Sequence, residues 1–177
     1  AGGALLDLGV FCLEAAVALF GTPHSVTGRS VTLGNGVDGA GTALLSHPGF
    51  VVDVTYSKIS TSRLPSEIQG EEGTLVIDKI AAPSQVRLET RVGPTRTFDL
   101  PAGGRNLHCS LERFATVVAG TSDAGTDNGR TAATLRMMDA LPACGELRRP
   151  VNATVPRCDT PPGGVAEVAG FDPARGL

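Results

Sequence analysis

Asp7 is the first residue whose setting points to chemistry. It lies in the run Ala4–Phe20, ALLDLGVFCLEAAVALF, where nearly every neighbour is apolar. A carboxylate in such a run is costly unless it is paired, hydrogen-bonded or turned toward a cleft. Gly2 and Gly3 precede it, so backbone or a ligand can approach closely there. At helical spacing position 11 shares its face, and the two positions would edge a site together. An Asp in the first turn of a helix also stabilises the helix dipole, and the residues alone leave both readings open.

Other candidate motifs have plainer readings. Gly34-Asn-Gly36-Val-Asp-Gly39 fits G-x-G-x-x-G. That pattern holds a pyrophosphate only where it joins a strand to a helix. Here the chain runs into His47-Pro48-Gly49 too soon for a helix, so Asn35-Gly36 predicts a hairpin turn. Glu71 and Glu72, adjacent on a tight turn, read as solvated. Tyr56 and Lys58 lie two apart on a strand-like run and lack the helical spacing of an acid/base pair, so they are placed on a sheet surface. His24, His47 and His108 stand alone. The nearest pair among Cys12, Cys109, Cys144 and Cys158 is separated by 14 positions. That spacing suits neither a zinc cluster nor a disulfide framework, and no metal is expected.

The elements that must position Asp7 follow from periodicity. Ala4–Phe20 predicts a helix stopped by Gly21 and Pro23, apolar almost all round and so packed beneath something. Strand-like runs follow at Ser25–Leu33, Thr42–Ser46, Phe50–Ser60, Ser66–Ile68, Thr74–Ile80, Gln85–Val92 and Thr95–Leu100. In the third, Val52, Val54 and Tyr56 share one face. Connections this short require antiparallel pairing. Two helices complete the pattern. Leu107–Ala119 carries the stripe Leu107, Leu111, Phe114 and Val118, and Asn128–Leu141 carries Ala132, Leu135, Met138 and Leu141. The expected fold class is α+β: an open, mostly antiparallel β-sheet of about six strands with helices packed on one face.

Composition bounds the function. The 177 residues hold 15 Lys+Arg against 18 Asp+Glu, a net charge of -3, with 41% hydrophobic and 19% charged residues. That is a globular composition without a basic footprint, which argues against nucleic acid as a partner. The apolar N-terminal run is interrupted by Asp7, Gly9 and Glu14 and has no basic flank, so neither a membrane span nor a signal peptide is expected, and the cytoplasm is the expected location. From Pro142 onward the pattern dissolves. Six of the 12 prolines lie in residues 142–177, which read as an irregular tail.

The run Gly2-Gly3-Ala-Leu-Leu-Asp7-Leu-Gly9-Val-Phe11 resembles the glycine-acid segment of the Gfo/Idh/MocA oxidoreductases, in the branch of dihydrodiol dehydrogenase and the glucose–fructose oxidoreductase-like enzymes. The likeness continues through Gly36-Val-Asp-Gly39, Phe50–Ser60, Glu67-Ile-Gln-Gly70, Glu72-Gly-Thr-Leu-Val-Ile77, Asn106 and Leu135-Arg-Met-Met-Asp139. It implies that residues 1–141 are the C-terminal substrate and oligomerisation domain of an NAD(P)-dependent enzyme acting on a sugar-like or diol substrate, with homo-oligomer contacts through the sheet face. It also implies that the Rossmann domain, with its catalytic Lys, is missing, since Lys58 and Lys79 do not match that residue. The chain begins with Ala rather than Met, and a fragment is expected.

The resemblance places Asp7 beside the nicotinamide and substrate. It places Phe11 in the seat of the family's Tyr or His acid/base, where a phenyl ring has no proton to transfer. Cys109 and Ser110 stand where relatives often have Tyr and Glu, and Ala143–Pro150 replaces the usual strand-like ending. This chain alone is therefore expected to bind no NAD(P) tightly and to be inactive. The alternative is a noncatalytic sugar-binding or assembly module.

Overall fold

Alternating apolar and polar residues build two antiparallel ladders, and among the described residues helices cover only one of them. The computed structural model describes residues 2–100 and 107–141. The first ladder holds β1 (Ser25–Thr32), β2 (Asp38–His47) and β3 (Phe50–Ser57) in the order β1-β2-β3. Its register sets Val26 beside Leu45 and Val52, and Ser30 beside Gly41 and Tyr56. Those rows face inward. The second ladder holds β4 (Ser66–Gln69), β5 (Gly73–Ile77), β6 (Gln85–Thr90) and β7 (Arg96–Asp99), again in chain order.

The α+β class and the antiparallel pairing agree with expectation. The described strands number seven, divided between two sheets, rather than about six in one. The Asn35-Gly36 hairpin also forms. Gly36 N–H donates to Leu33 O and Leu33 N–H to Val37 O, and Gly36 takes a φ of 82°, which a glycine adopts without strain. β2 starts within the glycine-rich run, earlier than its apolar pattern indicated, because its first residues pair with β1 and β3 through backbone alone.

The N-terminal helix opens with a π-helical turn, Leu5–Gly9, and continues as α1, Val10–Phe20. Leu13, Ala16 and Val17 of α1 pack on Val26, Ala43, Leu45, Val54 and Tyr56 of the first sheet. The helix packs against other elements as expected, but not all of its apolar residues are covered. Leu6, Leu8, Phe11 and Leu19 lie on exposed flanks, since the sheet reaches one face and α3 only part of another. Tyr56 is corrected from a sheet surface to the core, where it is 6% exposed.

Helices α2 (Leu107–Val118) and α3 (Gly125–Ala140) follow. α3 packs on α1 and β1 and buries Ala133, Thr134, Met137 and Met138, with Leu141 just beyond its end. The predicted stripe is rotated, and Leu135 faces outward because the partner surface lies on the other side of the helix. α2 leaves Leu111, Phe114 and Val118 exposed. It is tied to the start of α3 by Arg113, whose guanidinium pairs with Asp127 at 2.8 Å and donates to Asp123 O at 2.7 Å. Asn106 and the proposed tail 142–177 lie outside the described residues.

Candidate functional site

Asp7 sits in the π-helical turn, and that turn is anchored from 33 residues away. The residue preceding the turn, Ala4, has no side chain to cap it. Asp38, the first residue of β2, fills the role: its Oδ2 accepts the Leu5 N–H at 2.6 Å. The carboxylate is well placed at a helix start, where exposed N–H groups favour negative charge. A register irregularity between Val31 and Thr32 brings Thr32 opposite Asp38, a local distortion that re-aims this end of the strand. Gly3 is required by the arrangement. A Cβ there would lie 1.5 Å from Asp38 Oδ1. The close approach expected at the glycine pair is thus the approach of Asp38.

Lys58 comes from the other strand at the same sheet end. β3 stops at Ser57, and the Lys58 N–H extends the ladder by donating to Gly39 O at 2.8 Å. Its ammonium then reaches over the π-helical turn, with Nζ 2.9 Å from Asp7 Oδ2 and donating to Gly2 O at 3.3 Å. Gly2, Leu6, Asp7 and Lys58 line an open depression of about 510 Å³. Asp7 remains 63% exposed and Lys58 34% exposed along their side chains, so both stay available to a solute.

The other sequence candidates lie elsewhere. Phe11 is 49% exposed on α1 and is not among the residues lining this depression. A π-helical turn spends an extra residue per turn, which alters the helical spacing that linked positions 7 and 11. His47 stacks on Phe50 at 4.6 Å, at the β2–β3 turn, the opposite end of the sheet from Lys58. Burial, and secondarily the nearby His24, hold its imidazole below the usual histidine range. His108 lies 3.5 Å from Glu112 on exposed α2. Glu71 and Glu72 are exposed at their turn, as expected. Cys12 and Cys109 are free thiols, and burial pushes the Cys12 thiol up. Asp38 and Lys58 are the two contributors that sequence reasoning missed. Their only signal was proximity to Gly36–Gly39 and to the end of an alternating strand.

Residues 1–76 match the family model of the GFO/IDH/MocA C-terminal domain. The chain carries a Gfo/Idh/MocA C-terminal domain. It is 43% identical over 116 residues to scyllo-inositol 2-dehydrogenase (NADP(+)) of Bacillus subtilis, covering 66% of this chain and 35% of that enzyme. It is 32% identical over 112 residues to trans-1,2-dihydrobenzene-1,2-diol dehydrogenase of Mus musculus, covering 61% of this chain and 32% of the mouse enzyme. The chain thus matches about a third of the length of these two curated relatives. Its fold is also that of a 3-ketoreductase from Actinomadura kijaniata solved with NADP, with a TM-score of 0.65 at 23% identity over 78% of this chain and 46% of that one.

The G-x-G-x-x-G run is not a strand-to-helix phosphate loop. Gly34–Gly39 closes a hairpin and leads into β2, so no helix N-terminus stands behind it to receive a pyrophosphate.

Proposed function

We propose that residues 1–141 form the substrate-binding and oligomerisation domain of an NAD(P)-dependent oxidoreductase acting on a sugar-like or diol substrate, with residues 142–177 as a tail. The observation that carries this reading is the exposed Asp7 carboxylate in the depression, on a turn anchored by Asp38 and paired with Lys58. Ionised, Asp7 accepts hydrogen bonds only, so it orients a hydroxyl by taking its proton into a hydrogen bond. By the family resemblance Phe11, although outside the depression, stands at the acid/base position, where a phenyl ring cannot perform that role. The cofactor belongs to a separate Rossmann domain, and this chain alone does not turn over substrate.

Sheet-mediated self-association is supported by two open faces. Thr27, Leu44 and Asp53 form an outward row on the first sheet, and the second sheet has an apolar face of its own. The partners are a small polyhydroxylated molecule and a second copy of the chain, with no nucleic acid and no membrane. Among the described residues no helix is long and apolar enough to cross a bilayer, and we place the protein in the cytoplasm.

Calorimetric titration with NADPH and NADH tests the division of labour. The isolated chain is expected to show no micromolar binding, and such binding would refute the reading. Joining the chain to the N-terminal domain of the Bacillus relative, with Phe11→Tyr, provides the complementary test. Recovered dehydrogenase activity identifies an enzyme domain that lost its acid/base. Polyol binding without activity favours the second reading, a noncatalytic sugar-binding module, which Phe11 itself supports.

A further inference from the structure

The Lys58–Asp7 pair is too exposed to contribute much stability. Its chemistry is better matched to a ligand. The Lys58 ammonium has three N–H donors. Asp7 Oδ2 at 2.9 Å and Gly2 O at 3.3 Å engage two of them, and the third is left for the depression. Asp7 keeps acceptor positions in the same depression, and Leu6, 60% exposed, supplies an apolar wall beside them.

We propose that Lys58 is a substrate-binding residue, and that Lys58 and Asp7 together bind two hydroxyls on adjacent carbons. One hydroxyl donates to Asp7, and its neighbour accepts from Lys58. This rests on the oxidoreductase reading above and adds Lys58 to the residues that contact its substrate. Charge selects among ligands. An anion attracted by Lys58 meets the Asp7 carboxylate at the same place, and a cation attracted by Asp7 meets Lys58. A neutral diol satisfies both, because each hydroxyl can donate and accept. Gauche hydroxyls on neighbouring carbons have nearly the separation of a hydrogen-bonded pair, so they can bridge an acceptor and a donor that are themselves 2.9 Å apart. The backbone also holds Lys58 at this sheet end, through its N–H to Gly39 O.

Ligand-observed NMR on the 177-residue chain tests the proposal. The probes are the trans vicinal diol of cyclohexane, cyclohexanol and cyclohexanecarboxylate. The wild-type chain is expected to prefer the diol over cyclohexanol by about tenfold, the effect of one hydrogen bond to a charged group. Lys58→Met is expected to weaken diol binding by about the same factor and leave cyclohexanol unchanged, while Lys58→Arg retains more diol binding than Met. Thermal unfolding of each variant reports folding independently. If the wild type binds the diol and both variants bind it equally well, the role of Lys58 is overturned and the oxidoreductase reading stands. Preference for the carboxylate overturns the diol class. If the wild type binds neither the diol nor scyllo-inositol, both readings fall.

Discussion

In the three-stranded sheet, Val26, Ala43, Leu45, Val54 and Tyr56 face α1 and α3 and are buried. In the four-stranded sheet, the register sets Ile77, Val86 and Phe98 in one row and Ile68, Leu75 and Leu88 in the next row on the same face, and none of the six is buried. The buried residue of that sheet is Val76, on the opposite, polar face, beside Glu67 and Arg87. Both sheets therefore alternate cleanly. They differ in what lies across from the apolar rows. A strand's period chooses which side chains share a face, and only a packed layer removes that face from water. Among the described residues, helices supply that layer to the first sheet alone.

Core truncation gives the largest expected contrast. Leu45→Ala in the first sheet should cost about 2–5 kcal/mol, through lost burial and the cavity it leaves. Leu88→Ala in the second should cost less, about 1 kcal/mol, because its side chain is only partly buried and no helix packs on it. Urea denaturation of the two variants measures the difference. Equal losses would break the contrast and mean that the second sheet is covered in solution.

The clamp at the sheet end comes next. Gly3→Ala drives a methyl into Asp38 and should cost about 1–3 kcal/mol. The same change made in an Asp38→Ala background should cost less, by a coupling of about 0.5–3 kcal/mol. A double-mutant cycle from chemical denaturation measures it, and strict additivity would mean that Asp38 does not hold the turn.

A smaller effect separates the sheets by pH. The His47 imidazole is held low by burial and by His24, so the unfolded chain takes up that proton more readily. The stability this provides is present above the ordinary histidine range and is lost as pH falls through it. Unfolding midpoints followed from about pH 7.5 to pH 5.5 should decline, and His47→Phe should flatten the decline. In the second sheet the titrating device is local. Asp78 accepts from the N–H groups of Lys79, Ser84 and Gln85 at 2.8, 3.0 and 3.3 Å and pairs with the Ser84 hydroxyl. These bonds, led by those from Ser84, hold its carboxyl at about 2. The order they give the β5–β6 loop is present above the ordinary carboxylate range and is lost as pH falls through about 2. Side-chain NMR titration should show that midpoint, and Asp78→Asn should loosen residues 78–85 with little change in global stability.

The smallest expected effect is at the site itself. Lys58→Met should change stability by no more than about 1 kcal/mol, since the pair it breaks is solvent-exposed. A larger loss would make the pair a structural strut.

Much of this organisation was legible in the sequence. Asp7 stood out because a carboxylate among Ala and Leu needs a reason, and the hairpin at Asn35-Gly36 because few dipeptides accept its turn geometry. Helix faces were less legible. α3 is weakly patterned, so its buried side was decided by where α1 and β1 lie, and Leu135 ended outside. The partners of Asp7 were not legible at all. Asp38 and Lys58 come from two different strands, and nothing local ties either to a helix so far away in the chain.

The sequence by itself determined the element order, the antiparallel pairing and the presence of an acid at a glycine-marked helix start, because periodicity and turn chemistry act over a few residues. Only the tertiary structure decided which sheet is covered, that the helix begins with a π-helical turn, and that Asp38 and Lys58 converge on it. Those outcomes depend on strand register and close backbone approach, which bring residues 7, 38 and 58 to one sheet end.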